Sequence, residues 1–217
     1  MDYKKLFHKE EAFQRETFQK RMEEFGFKNM ARMELFLWDL ELFLHIQKIL
    51  GDKIILKGGA ATQFYLPRDA QRTSVDIDML FFGTEEEIKK TLRKIEEYLG
   101  TEDELFYFHK HSPKNPKTNL PLHTYYTKVP SVLSNAERNM ERESIPYQEL
   151  KIEFILQPEK WEYERRTGEN IFAVNSSWNY QILPLNYLFA DKLTTLGCNT
   201  IGVQNERLDE QVKQFYD

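Results

Sequence analysis

Apolar side chains crowd one stretch of the chain. Met33, Leu35, Phe36, Leu37, Leu40, Leu42, Phe43, Leu44, Ile46, Ile49 and Leu50 leave few polar gaps. That density predicts a helix over 29–50, largely buried against a sheet and stopped at Gly51-Asp52. Ahead of it, Leu6, Phe13, Phe18, Met22 and Phe25 stand at looser helical spacing among charges, so an amphipathic helix over 3–26 is expected, ending near Gly26. After Asp52 the pattern changes. Ile54-Ile55-Leu56 is a short continuous apolar run, followed by the tight turn Lys57-Gly58-Gly59-Ala60, a short helix over 62–65 and a loop. In Ser74-Val75-Asp76-Ile77-Asp78-Met79-Leu80 polar and apolar residues then alternate as in a strand.

Farther along, Gly83-Thr84 caps a helix through Tyr98, with Glu85, Glu86 and Glu87 in the first turn where the helix dipole favours anions. Leu105–Phe108 and His123–Val129 read as strands, separated by a loop rich in Pro and Asn over 111–119. Leu150–Leu156 has the length and the β-branched content of a strand. Residues 161–170 read as a polar connection. Pro184 opens a helix to about Leu196, and a further helix starts at Glu206. The order implies a single α/β (α+β) domain over 1–217, a mixed sheet flanked by helices. Its parts are N-terminal helices over 1–50, a sheet core over 53–175 and C-terminal helices over 184–217. The chain stops inside what reads as a helix, so the natural protein is expected to continue.

The chemistry concentrates between Lys53 and Leu80. Side chains alternate faces along a strand, so Asp76 and Asp78 project together while Val75, Ile77 and Met79 take the other side. Paired carboxylates repel and invite a divalent cation, and oxygen-only ligands suit Mg²⁺ or Mn²⁺. Gly58 and Gly59 let the backbone approach a ligand closely at a helix start, where N–H groups meet phosphate oxygens. Phosphates on one side and a metal on the other suggest a nucleoside triphosphate. On the residues alone, Glu153 in its strand reads first as facing solvent, and Lys57, Lys192 and Arg72 as surface cations. His109 and His111 have no cysteine near them and make a poor zinc site. Phe106, Tyr107, Phe108, Tyr125 and Tyr126 could stack on a base, with core packing the default.

The string Lys57-Gly58-Gly59-Ala60, Tyr65 and Arg72-Thr73-Ser74-Val75-Asp76-Ile77-Asp78 resembles the AbiEii/AbiGii toxin family of nucleotidyltransferases. That family lies within the DNA polymerase beta type nucleotidyltransferase superfamily. The resemblance implies a polymerase-beta-like core and a third carboxylate on a later strand, matched by Glu153 as metal ligand and candidate base. It also implies catalytic and metal-binding roles for Asp76 and Asp78, with Lys57, Gly58, Gly59, Arg72 and Ser74 around the phosphates. Leu188-Phe189-Ala190-Asp191-Lys192-Leu193 is similar to the family's Ala-x-Lys-Leu helix, which would set Lys192 against the triphosphate. Asp209 or Asp217 would be the family's C-terminal aspartate. The implied activity is nucleotidyl transfer from a nucleoside triphosphate to an acceptor hydroxyl, with tRNA or other RNA as an acceptor and a cognate antitoxin as partner, in toxin–antitoxin or phage-defence systems. An antibiotic-type transferase acting on a small molecule and a degenerate nucleotide-binding module remain alternatives.

Composition narrows the setting. Of 217 residues 41% are hydrophobic, including 16 Phe and 11 Tyr, enough for a sizeable core. The net charge of −5 does not advertise a nucleic-acid coat protein, although a local basic groove is compatible with it. One cysteine, Cys198, excludes an intramolecular disulfide and fits a reducing cytosol. No apolar run is long enough for a signal peptide or a membrane span, so a cytoplasmic protein is expected.

Overall fold

The apolar stretch becomes the central helix of the molecule. In a computed structural model, which describes residues 2–112, 121–133 and 147–195, the first helices are α1 (Arg15–Phe25) and α2 (Met30–Leu50). Asn29 caps α2 by accepting a hydrogen bond from the Arg32 N–H at 3.0 Å, and Gly51 ends it at positive φ. Met33, Phe36, Leu37, Leu40, Leu42 and Phe43 are fully buried. Each such side chain removed from water contributes roughly 1.5–3 kcal/mol before entropy is counted.

The sheet that α2 covers has seven strands: β1 (Ile54–Leu56), β2 (Asp76–Phe81), β3 (His109–Lys110), β4 (Leu122–Pro130), β5 (Tyr147–Leu156), β6 (Glu164–Gly168) and β7 (Ser176–Ile182). Their spatial order is β3-β4-β5-β2-β1-β7-β6. The β2–β5 and β1–β7 pairs are parallel and the others antiparallel, so the expected mixed sheet is observed. Ile54, Leu56, Ile77, Met79, Phe81, Ile152 and Phe154 form the buried face under α2. Three more helices follow their strands: α3 (Gly58–Thr62), α4 (Glu85–Leu99) and α5 (Leu185–Thr195). α4 opens with a capping box between Thr84 and Glu87. Among the described residues no helix is long and apolar enough to cross a membrane.

Four expectations need correction. The first helix starts at Arg15 rather than Tyr3, with only two 3-10 turns before it. The segment between those turns bends away from a helix, with the Phe7 and His8 N–H groups taken by Glu41 of α2 at 2.8 and 3.0 Å. The helix after the glycine turn begins at Gly58 itself, and residues 63–65 are a 3-10 turn. Residues 105–108 form one isolated bridge rather than a strand, since Asp103, Glu104 and Phe106 adopt positive φ and break the extended run. Residues 161–170 contain β6, an edge strand whose Arg and Glu side chains suit a solvent-facing ladder. The loop over 113–119 and the helix from Glu206, with Asp209 and Asp217, lie outside the described residues.

Candidate active site

β1 delivers the chain to the site at Leu56. The Lys57 N–H donates to the Asp78 carbonyl at 2.8 Å, so the glycine turn is fastened to β2. Gly58 has φ +67, and a Cβ there would lie 2.5 Å from Asp78 Oδ2. Only glycine fits both the backbone and the carboxylate against it. A Cβ on Gly59 would lie 2.9 Å from Arg72 Nη2 and 3.2 Å from Ser74 Oγ. The glycine pair is therefore a cradle walled by Asp78 on one side and by Arg72 and Ser74 on the other. Gln63 holds that wall in place: its amide donates to the Gly59 carbonyl at 2.8 Å and its oxygen accepts from the Arg72 N–H at 2.7 Å.

The β2–β5 register completes the acid cluster. Asp76 stands opposite Lys151 and Asp78 opposite Glu153. In a parallel pair, residues at the same level share a face, so Glu153 joins the aspartates rather than facing elsewhere. The Glu153 Oε1 accepts from Thr124 Oγ1 and from Lys151 Nζ, both at 3.0 Å. Asp78 and Glu153 stand directly opposite each other across the parallel pair. Burial and then the Glu153 charge push the Asp78 carboxyl up to about 7, against the pull of the Lys57 ammonium. Lys57 Nζ in turn donates to Asp191 Oδ1 at 2.6 Å, drawing α5 against the turn. Lys192 sits half-buried beside Asp191 on that helix. The turn with Lys57, Gly58 and Gly59, the loop with Arg72 and Ser74, β2 and β5 thus come together, and α5 joins them through Asp191, the neighbour of Lys192.

The donor set is all oxygen, which suits Mg²⁺ or Mn²⁺. Among the described residues no three acids or imidazoles already stand as a finished metal shell. The direct pair is Asp78 and Glu153, with Asp76 two residues along β2. A divalent cation beside the pair would relieve the repulsion that, after burial, raises Asp78.

Several participants escaped sequence reasoning. Thr124 and Lys151 become neighbours of Glu153 only through strand register. Asp39, on α2, is fully buried, and among the described residues neither of its oxygens has a hydrogen-bond partner. Burial, then the charges of Asp76 and Asp78, hold its carboxyl well above the usual range. Its signal was present: a carboxylate in the middle of the most apolar run of the chain.

The model of one protein family, described as nucleotidyl transferase AbiEii toxin, type IV toxin–antitoxin system, matches residues 42–217. The chain belongs to the AbiEii family. This AbiEii match begins inside α2 and contains every acid of the cluster described above except Asp39. The family pairs a nucleotidyl transferase toxin with a cognate antitoxin. No curated protein matches the chain. Among solved structures, the crystal structure of JHP933 from Helicobacter pylori aligns with 87% of this chain at 13% identity and a TM-score of 0.38. The chain spans 58% of that protein's length.

Proposed function

We propose that this AbiEii chain is a Mg²⁺- or Mn²⁺-dependent nucleotidyltransferase. It moves a nucleotidyl group from a nucleoside triphosphate to an acceptor hydroxyl, and the acceptor is an RNA end such as a tRNA terminus. In the reaction the acceptor oxygen bonds the α-phosphorus, the bond to pyrophosphate breaks, and the hydroxyl proton passes to Glu153. Asp76, Asp78 and Glu153 hold the cations. Bound divalent ions supply charge neutralisation on the phosphates and steady the attacking and leaving oxygens. Lys57, Arg72, Ser74, Lys192 and the Gly58-Gly59 backbone hold the triphosphate, because transfer of this type depends on positioning and charge stabilisation.

The observation that carries this reading is the register of Asp78 with Glu153, directly beside a glycine that any side chain would push into Asp78. The test is a transfer assay with each of four labelled nucleoside triphosphates, Mg²⁺ or Mn²⁺, and total tRNA, cell protein or aminoglycosides as acceptors. Label moving to RNA, and lost in Asp76→Asn with Asp78→Asn, is the expected result. Label moving only to aminoglycosides would replace the acceptor. No label moving with any acceptor, together with no nucleotide binding, would leave a binding module.

A further inference from the structure

Strand register continues the acid cluster sideways across the sheet. Residues directly opposite on neighbouring strands share a face. Thr124 of β4 stands opposite Glu153, Tyr126 opposite Lys151, and His109 of β3 opposite Tyr126. Two rows therefore leave the site on the face turned away from α2. One runs Asp78, Glu153, Thr124. The other runs Asp76, Lys151, Tyr126, His109. At the far end the Tyr107 ring meets His109 edge-on at 4.5 Å, and the His111 ring meets Tyr126 at 5.6 Å. Tyr107 is 45% exposed, His109 and His111 are exposed, and Tyr126 is half-buried. Their inward neighbours Tyr125, Thr127 and Val129 are buried. Of the aromatics on these strands, one set makes core and the other makes a surface of two phenols and two imidazoles.

The side of the site matters. An in-line displacement sets the attacking oxygen opposite the leaving pyrophosphate. The cradle of Gly58, Gly59, Arg72 and Ser74 lies on the β1 and α3 side of Asp78, whereas β5, β4 and β3 lie on the other side. The attacking hydroxyl then arrives over β5 and β4, and Tyr126 lies two strand spacings, about 10 Å, from β2.

We propose that this β3–β4–β5 face seats the acceptor, and that the acceptor is the single-stranded 3′ end of an RNA whose bases stack on Tyr126, His109 and Tyr107; the proposal rests on nucleotidyl transfer at the acid cluster. Flat rings bind bases of any sequence through their faces. A polycationic antibiotic would need carboxylates here, and on this face of β4 and β5 away from the cluster the described strands offer only Glu149. Binding through rings rather than a cationic track also fits a chain of net charge −5, and predicts a shallow salt dependence.

The experiment is fluorescence anisotropy of a labelled single-stranded oligoribonucleotide with the full chain, without nucleotide or metal. Tyr126→Ala with His109→Ala is expected to weaken binding at least about tenfold. Tyr126→Phe, which keeps the ring, is expected to stay within about twofold of wild type. Circular dichroism melting confirms that each variant folds, and calorimetry with Mn²⁺ and a nucleoside triphosphate reads the other half of the site separately. Equal oligonucleotide binding by wild type and the folded double variant overturns the proposal. So does a wild type that ignores the oligonucleotide yet labels protein or aminoglycoside. If the wild type binds no nucleotide but still binds RNA through Tyr126, the stacking face stands and the transferase reading fails.

Discussion

At Gly58, one hydrogen atom in place of a side chain decides whether the site exists. A Cβ there meets Asp78 Oδ2 at 2.5 Å, and the residue sits at φ +67. Gly58→Ala is expected to cost roughly 1–2 kcal/mol for the left-handed backbone. It should also turn the Asp78 carboxylate aside, with a much larger loss in a transfer assay than in a melting curve. Asp78 itself ties stability to pH. Its folded pKa is raised to about 7, so the folded state holds a proton that the unfolded chain releases near pH 4. Its stabilising contribution is complete below pH 4 and lost as pH rises through 7. The metal-free protein is therefore expected to melt at lower temperature as pH rises from 5 to 8, with a smaller slope in Asp78→Asn. Asp39 carries the same sign, raised by burial and by Asp76 and Asp78. Asp39→Asn is accordingly expected to melt at or above the wild-type temperature at pH 7; a fall of several degrees would mean the carboxylate is ionised and paired.

The elements owe their positions to polar fastenings as much as to apolar faces. Glu41, fully buried on α2, accepts from His8 Nδ1 at 2.6 Å, from His45 Nε2 at 2.9 Å and from two N–H groups of the N-terminal segment. Burial alone would raise its pKa, but the hydrogen bonds from His45 and His8 and the Phe7 N–H hold it down at about 2. Glu41→Ala strands these donors in the core and is expected to cost about 3–5 kcal/mol in chemical denaturation. Thr84→Ala, which removes the α4 cap, is expected to cost about 1 kcal/mol. The same fastenings explain what could be read in advance. α2, α4, β1, β2 and β5 follow from apolar period and caps, which are local. The non-helical segment at Phe7 and His8 depends on Glu41, 34 residues away from Phe7. Among the described residues β6 pairs with β7 alone, at the sheet edge, so neither its alternation nor its composition had to announce a strand.

For the molecule as a whole, the strand order sets which side chains become neighbours. It puts β2 and β5 side by side in the middle of the sheet, the glycine cradle on one flank and the ring-bearing face of β4 and β3 on the other. The individual acids were legible as an alternating Asp-x-Asp and an acid within a later apolar strand. Their union was not, because the parallel pairing of β2 with β5 joins residues 75 positions apart in the chain. In the proposed reaction Asp78 and Glu153, with Asp76, share a divalent cation beside a bound triphosphate. Electron paramagnetic resonance of Mn²⁺ titrated into the protein with a nucleoside triphosphate reads that sharing. Glu153→Gln, which keeps the shape and removes the charge, should weaken Mn²⁺ binding at least about tenfold while the fold melts no lower. Mn²⁺ bound equally well by wild type and by Glu153→Gln would contradict the account.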